Sequence, residues 1–186
     1  MEDGYVIDRP NRAKASSKTT RAILTFLLLV SAGIFLVVIA GGWSALQGNK
    51  GVQIAYLLLY LLMAYLVVRW NRGVLPVAAA LAILLLIFAA VSGPEWFARD
   101  KNGFSTPDSI LGSTGLESQM LGLLTYLLIP VQVLLIFFAA QAFRQDWHVE
   151  LEVPKSRAKW PGARPPRAST RQGARRGTTG AGAARG

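Results

Sequence analysis

The chain has 186 residues, 52% of them hydrophobic, and the apolar residues gather in four long runs, which excludes a single water-soluble core and fits a polytopic membrane protein. Cys is absent, which excludes a disulfide framework, a Cys-containing metal site and a thiol nucleophile. The net charge of +10 sits mainly at the two ends, so it describes the tails more than the folded part.

Residues 1–21 are polar and read as a cytoplasmic tail, with Arg9, Arg12, Lys14, Lys18 and Arg21 close to the first apolar run and Tyr5-Val6-Ile7 as a short extended piece. The first span is predicted over residues 22–41, ended by Gly41-Gly42 and followed by Trp43, a residue suited to the membrane interface. A cleaved signal peptide is the competing explanation, because Val38-Ile39-Ala40 could mimic a cleavage site. The apolar stretch is too long for that, the leader carries acids, and three more spans follow.

After a short turn that contains Lys50, the second span is predicted over residues 52–69. Tyr56, Tyr60, Met63 and Val67 recur at helical spacing and share one face, which reads as aromatic packing, with a quinone or lipid slot as the functional alternative. Arg69-Trp70-Asn71-Arg72-Gly73 forms a basic hairpin. The third span follows over residues 74–92, with Pro76 in its first turn, where the missing N–H costs little. Ala78, Ala82, Leu85 and Ala89 make a stripe of mostly small side chains. In lipid, helices associate by close packing and not by apolar burial, so this stripe reads as a helix–helix contact.

Residues 93–119 are predicted as an extracytoplasmic loop, with a turn at Asp100-Lys101-Asn102-Gly103 and a short surface helix built from Ser109-Ile110-Leu111 and Leu116. The fourth span, residues 120–143, carries Thr125 and Gln132 on one face, with Pro130 between them to free a backbone carbonyl. These residues read as interhelical packing, or as a polar ligand site or hinge at mid-membrane.

Residues 144–154 form a juxtamembrane segment whose contact residues are Trp147, His148, Glu150 and Glu152. Val149, Leu151 and Val153 alternate with the acids, as in a strand. A lone strand needs a partner, so the segment is either irregular or an edge that pairs with another chain or with Tyr5-Val6-Ile7. Residues 155–186 are rich in Arg, Gly, Ala and Pro and are predicted to be a disordered basic tail, suited to anionic lipid headgroups. No Tyr or Phe is interleaved there for base stacking, which argues against specific nucleic-acid binding.

Orientation follows from charge. Seventeen Lys and Arg flank the spans on the side of the termini against three on the other, so both termini are expected in the cytoplasm of a cell with an inner, or plasma, membrane. No ionisable side chain lies well inside a span, which argues against a pump or a proton-coupled transporter acting alone. His148 is the only His, with no metal-ligand spacing around it, so no catalytic residue, metal or cofactor is expected.

The stretch Ile129-Pro130-Val131-Gln132, continuing through Phe143-Arg144-Gln145-Asp146-Trp147-His148-Val149-Glu150, resembles uncharacterised small four-span membrane proteins of high-GC, actinobacterial-type bacteria. The resemblance implies a multi-pass fold and carries no activity with it. The expectation is an all-α integral membrane protein: a four-helix antiparallel bundle, non-enzymatic, acting as an accessory or scaffold subunit of a bacterial inner-membrane complex. It would sit in the bilayer with a membrane-protein partner or as a homo-oligomer. The alternative is a small transporter or channel component with its polar site on the fourth span.

Overall fold

The computed structural model describes residues 5–46, 50–147 and 149–154. The chain divides into two units, Lys14–Trp147 and Met1–Ala13 together with His148–Gly186. The tail expected to be disordered, residues 155–186, lies outside the described residues, as does His148.

In the smaller unit, strand β1 (Tyr5–Asp8) leads into a single helical turn, α1 (Pro10–Ala13), and strand β2 (Leu151–Pro154) pairs with β1. The pairing is antiparallel, with Tyr5 opposite Pro154 and Asp8 opposite Leu151. Of the alternatives open for this segment, pairing with Tyr5-Val6-Ile7 is the one found. The period-two pattern supplies the strand, and β1 supplies the partner a lone strand lacks. Arg9 donates from Nε to Glu150 Oε1 at 2.9 Å and forms an ion pair with the same carboxylate, bracing the end of the ribbon.

The larger unit is helical: α2 (Ala15–Gly41), α3 (Lys50–Val68), α4 (Val74–Lys101) and α5 (Ser118–Arg144). All four are long and apolar enough to cross a membrane. The 19 residues of α3 extend about 28 Å, close to the thickness of a hydrocarbon core. A helix suits that solvent because it satisfies its own backbone groups.

Two helices run beyond the lengths expected from sequence. Helix α2 starts at Ala15, inside the segment expected to be a flexible tail, and its first turns gain a tertiary contact when Gln145 Nε2 donates to Thr20 Oγ1 at 2.8 Å. Helix α4 continues through Pro94 to Lys101, absorbing the first part of the expected loop. Packing overrides the proline. Trp96 is buried with Val38, Ile39, Leu46 and Leu121, and the Phe97 ring stacks on Tyr126 at 5.6 Å. This needs glycine on both helices: a Cβ on Gly122 would meet the Phe97 ring at 2.8 Å, and one on Gly93 would meet the Tyr126 ring at 2.7 Å.

The connection from α4 to α5 contains no surface helix at Ser109-Ile110-Leu111; it folds back as turns with an isolated bridge between Asp108 and Thr114. Those turns cap α2. Ile110 donates its backbone N–H to Ala40 O at 2.9 Å and Leu116 to Gly41 O at 3.0 Å, so carbonyls that a helix end leaves unpaired are taken up. The approach is so close that a Cβ at Gly115 would lie 2.1 Å from Gly41 O, which only glycine permits.

Helix α4 packs chiefly along α5, and α2 packs against both α3 and α5. Helices α3 and α4 are consecutive in sequence yet barely touch. A buried cluster of α2, α3, α4 and α5 side chains, among them Leu24, Val67, Leu75 and Leu135, forms the main core.

Candidate functional site

The polar groups of the fourth span are brought into the core and joined there. Gln132 on α5 is 0% exposed. Its side-chain oxygen accepts from the Tyr60 hydroxyl on α3 at 2.7 Å, and its amide donates to Ser31 Oγ on α2 at 2.9 Å. Ser31 in turn donates to the backbone oxygen of Leu27 at 2.8 Å. One glutamine thus ties three helices together, and each of its two polar atoms has a partner. A membrane interior makes an unpaired amide costly, so closing the chain of donors removes the cost and fixes the register of the helices.

Thr125 is also buried, but it donates to the Leu121 carbonyl one turn back, at 2.8 Å, and does not join the Gln132 network. Pro130 lies on the exposed face of α5, and the helix runs on without interruption. The small stripe of α4 is inward: Ala78, Ala82, Leu85 and Ala89 are all buried on the helix that packs along α5. The inward face of α3 carries Tyr60, Met63 and Val67, with Tyr56 partly buried beside them.

A second constellation lies at the end of the unit where the α3–α4 turn meets the end of α5. The Arg21 guanidinium stands 4.2 Å from the centre of the Trp70 ring and donates to Val68 O at 3.2 Å. Arg72 donates to Phe143 O at 3.0 Å and forms an ion pair with Asp146. Both arginines therefore satisfy carbonyls at helix C-termini, where the macrodipole also favours a cation. Trp147 is fully buried edge-on against Trp70, ring centres 5.2 Å apart, and its indole N–H donates to Gln145 Oε1 at 3.1 Å. Trp70 and Asp146 hold positive φ angles of 61° and 46°, turn conformations maintained by these contacts. In the other unit, Glu150 pairs with Arg9, and Glu152 stands opposite Ile7 in the ribbon. The juxtamembrane contact residues are thus not one site: Trp147 packs in the helical unit, and Glu150 and Glu152 belong to the ribbon.

A groove of about 740 Å³ opens in the helical unit, with α3 and α4 among its walls. Its floor is apolar, with Phe35, Leu85, Phe88 and Leu128, and Thr125 reaches it from α5. Ser92, Glu95 and Arg99 line it along α4, Asn102 lines it just past the end of that helix, and Gln53 lines it from α3. Sequence reading passed over this groove and over Ser31. Helical periodicity shows which residues share a face but not which faces meet, and Glu95, Arg99 and Asn102 lay in a segment expected to be loop. Among the described residues, no three His, Asp or Glu side chains are grouped to hold a metal ion. No family model matches the chain, and neither a curated protein nor a solved structure is significantly similar to it.

Proposed function

We propose that this chain is a non-enzymatic multi-pass protein of a bacterial inner membrane that serves as an accessory or scaffold subunit of a larger complex. Its four helices form an antiparallel bundle with both termini in the cytoplasm. The observation that carries this reading is the closed Gln132–Tyr60–Ser31 network. The deepest polar groups of the spans are spent on each other, as in a rigid packing element. A conducting path would need Gln132 to face water, and this arrangement does not favour that.

The orientation rests on the bias of Lys and Arg toward the terminal side, and it is supported by Arg21 and Arg72 standing at one end of the helical unit. The basic tail would add contact with anionic headgroups, about 1 kcal/mol for each base held near the surface. The test is extraction of the tagged chain from its native membrane in mild detergent or polymer, followed by mass spectrometry. A membrane-protein partner held in fixed stoichiometry is expected, and recovery of the chain alone would count against the proposal. Labelling of Gln132→Cys by a water-soluble thiol reagent in the folded protein would favour the transporter or channel component instead.

A further inference from the structure

The groove along α4 changes character along its length. The side chains that line it run from Leu85 and Phe88 to Ser92, Glu95 and Arg99, at spacings that keep these three on one face of α4, and on to Asn102 just past its end. A hydrocarbon core of about 30 Å takes up roughly 20 helical residues. Counted from Val74, Glu95 and Arg99 therefore fall at headgroup depth, while Leu85 and Phe88 fall within the acyl layer. The gap exists because α3 and α4, joined at one end by a tight turn, barely touch. In a bilayer such a gap is filled by whatever surrounds it.

The polar end of the groove is unfinished. The Nε atom of Arg99 and the side-chain oxygen of Gln53 are both buried without a hydrogen-bond partner. The Arg99 guanidinium lies 4.9 Å from the Phe104 ring, a contact that gives Nε no acceptor. Glu95 has no ion pair among the described residues. Arg99 thus calls for an anionic acceptor, and Gln53 and Glu95 call for a cationic N–H donor. A transmembrane helix from another protein would present apolar side chains here and leave Arg99 Nε and Gln53 Oε1 buried and unpaired, which is costly.

We propose that the groove binds a phospholipid whose headgroup carries a primary ammonium. Its phosphate meets Arg99, its ammonium meets Gln53 and Glu95, and an acyl chain lies over Phe35, Leu85, Phe88 and Leu128. The volume falls within the range of about 300–1,000 Å³ usual for small-molecule sites. Arg is suited to the phosphate because its planar fork meets oxyanions with paired N–H groups. This binding stands whether or not the chain belongs to a larger complex.

The test is native mass spectrometry of the purified full chain with phosphoethanolamine, phosphocholine and phosphoglycerol lipids of identical acyl chains. A single phosphoethanolamine lipid per chain is expected to survive desolvation, retained about tenfold over the phosphocholine lipid, which has the same phosphate but no N–H donor. Arg99→Gln should abolish retention of every phospholipid, whereas Glu95→Gln should erase only the ammonium preference. Val91→Trp should block the groove and abolish retention with helicity unchanged, because Val91 lines the groove and is 65% exposed, away from the core. Equal retention of all three lipids by the wild-type chain, or retention unchanged in Arg99→Gln and Val91→Trp, would reduce the contact to ordinary surrounding lipid and overturn the proposal. So would a co-purified protein whose removal is needed before any lipid binds.

Discussion

Gln132 shows how much a single side chain can decide in a lipid environment. Sequence marks it as the amide deepest in the fourth span, and that alone predicts a hydrogen-bonded partner. It could not say which partner, because the network needs Tyr60 from one helix and Ser31 from another, and their convergence is set by the crossing of three helices. Gln132→Leu keeps the bulk but strips both hydrogen bonds and leaves the Tyr60 hydroxyl unpaired in the core. The expected loss of stability is about 1–3 kcal/mol. Tyr60→Phe removes one bond together with its donor and should cost less, about 0.6–1.7 kcal/mol, the range found for membrane hydrogen bonds. The double variant should cost less than the sum of the two, since the interaction they share can be lost only once. Thermal or denaturant unfolding in a defined detergent measures all of these. Additive losses would mean that the two side chains are not coupled and that the network contributes nothing as a unit.

At the scale of the helix, the apolar runs mark the four helices that are long and apolar enough to cross a membrane, and the ends were where sequence fell short. Helix α4 passes through Pro94 because Trp96 and Phe97 have packing partners on α2 and α5, a tertiary gain that local propensity cannot register. The arginines show the same division. Their number near the spans is legible as a topological signal, but their second use, as C-terminal caps, is not. Arg72 holds Phe143 O and pairs with Asp146, whereas the contacts of Arg69, a hydrogen bond and a ring contact, are with Tyr65, four residues back on α3. Arg72→Gln should therefore lower stability by about 1 kcal/mol, the worth of a helix-end cation with its hydrogen bond at a partly exposed site. Arg69→Gln should change it by a few tenths, since it loses only a local i,i+4 contact. The pair is informative because both substitutions remove the same charge from the same turn. If charge alone mattered, the two variants would unfold alike, and a clear gap between their midpoints assigns the difference to the cap.

For the molecule as a whole, the helical faces turned outward are apolar: Phe26, Leu58, Ile87 and Phe137 are each more than half exposed. A soluble monomer does not expose so much apolar surface around its circumference, and a bilayer covers it without further structure. In the orientation proposed above, the charge bias keeps the arginine-bearing end in the cytoplasm, because translocating the arginines opposes insertion. This is open to direct measurement, since the chain has no native Cys and each introduced thiol is unambiguous. Leu111 stands 89% exposed in the connection from α4 to α5, and Asn71 is exposed in the turn between α3 and α4. In intact cells, a membrane-impermeant maleimide should label Leu111→Cys and spare Asn71→Cys until the membrane is permeabilised. The opposite pattern would place Arg21, Arg69 and Arg72 outside and the groove of α4 in the inner leaflet. Labelling of both sites in intact cells would mean that the chain does not hold a single orientation, and that the arginines act as helix caps without also directing insertion.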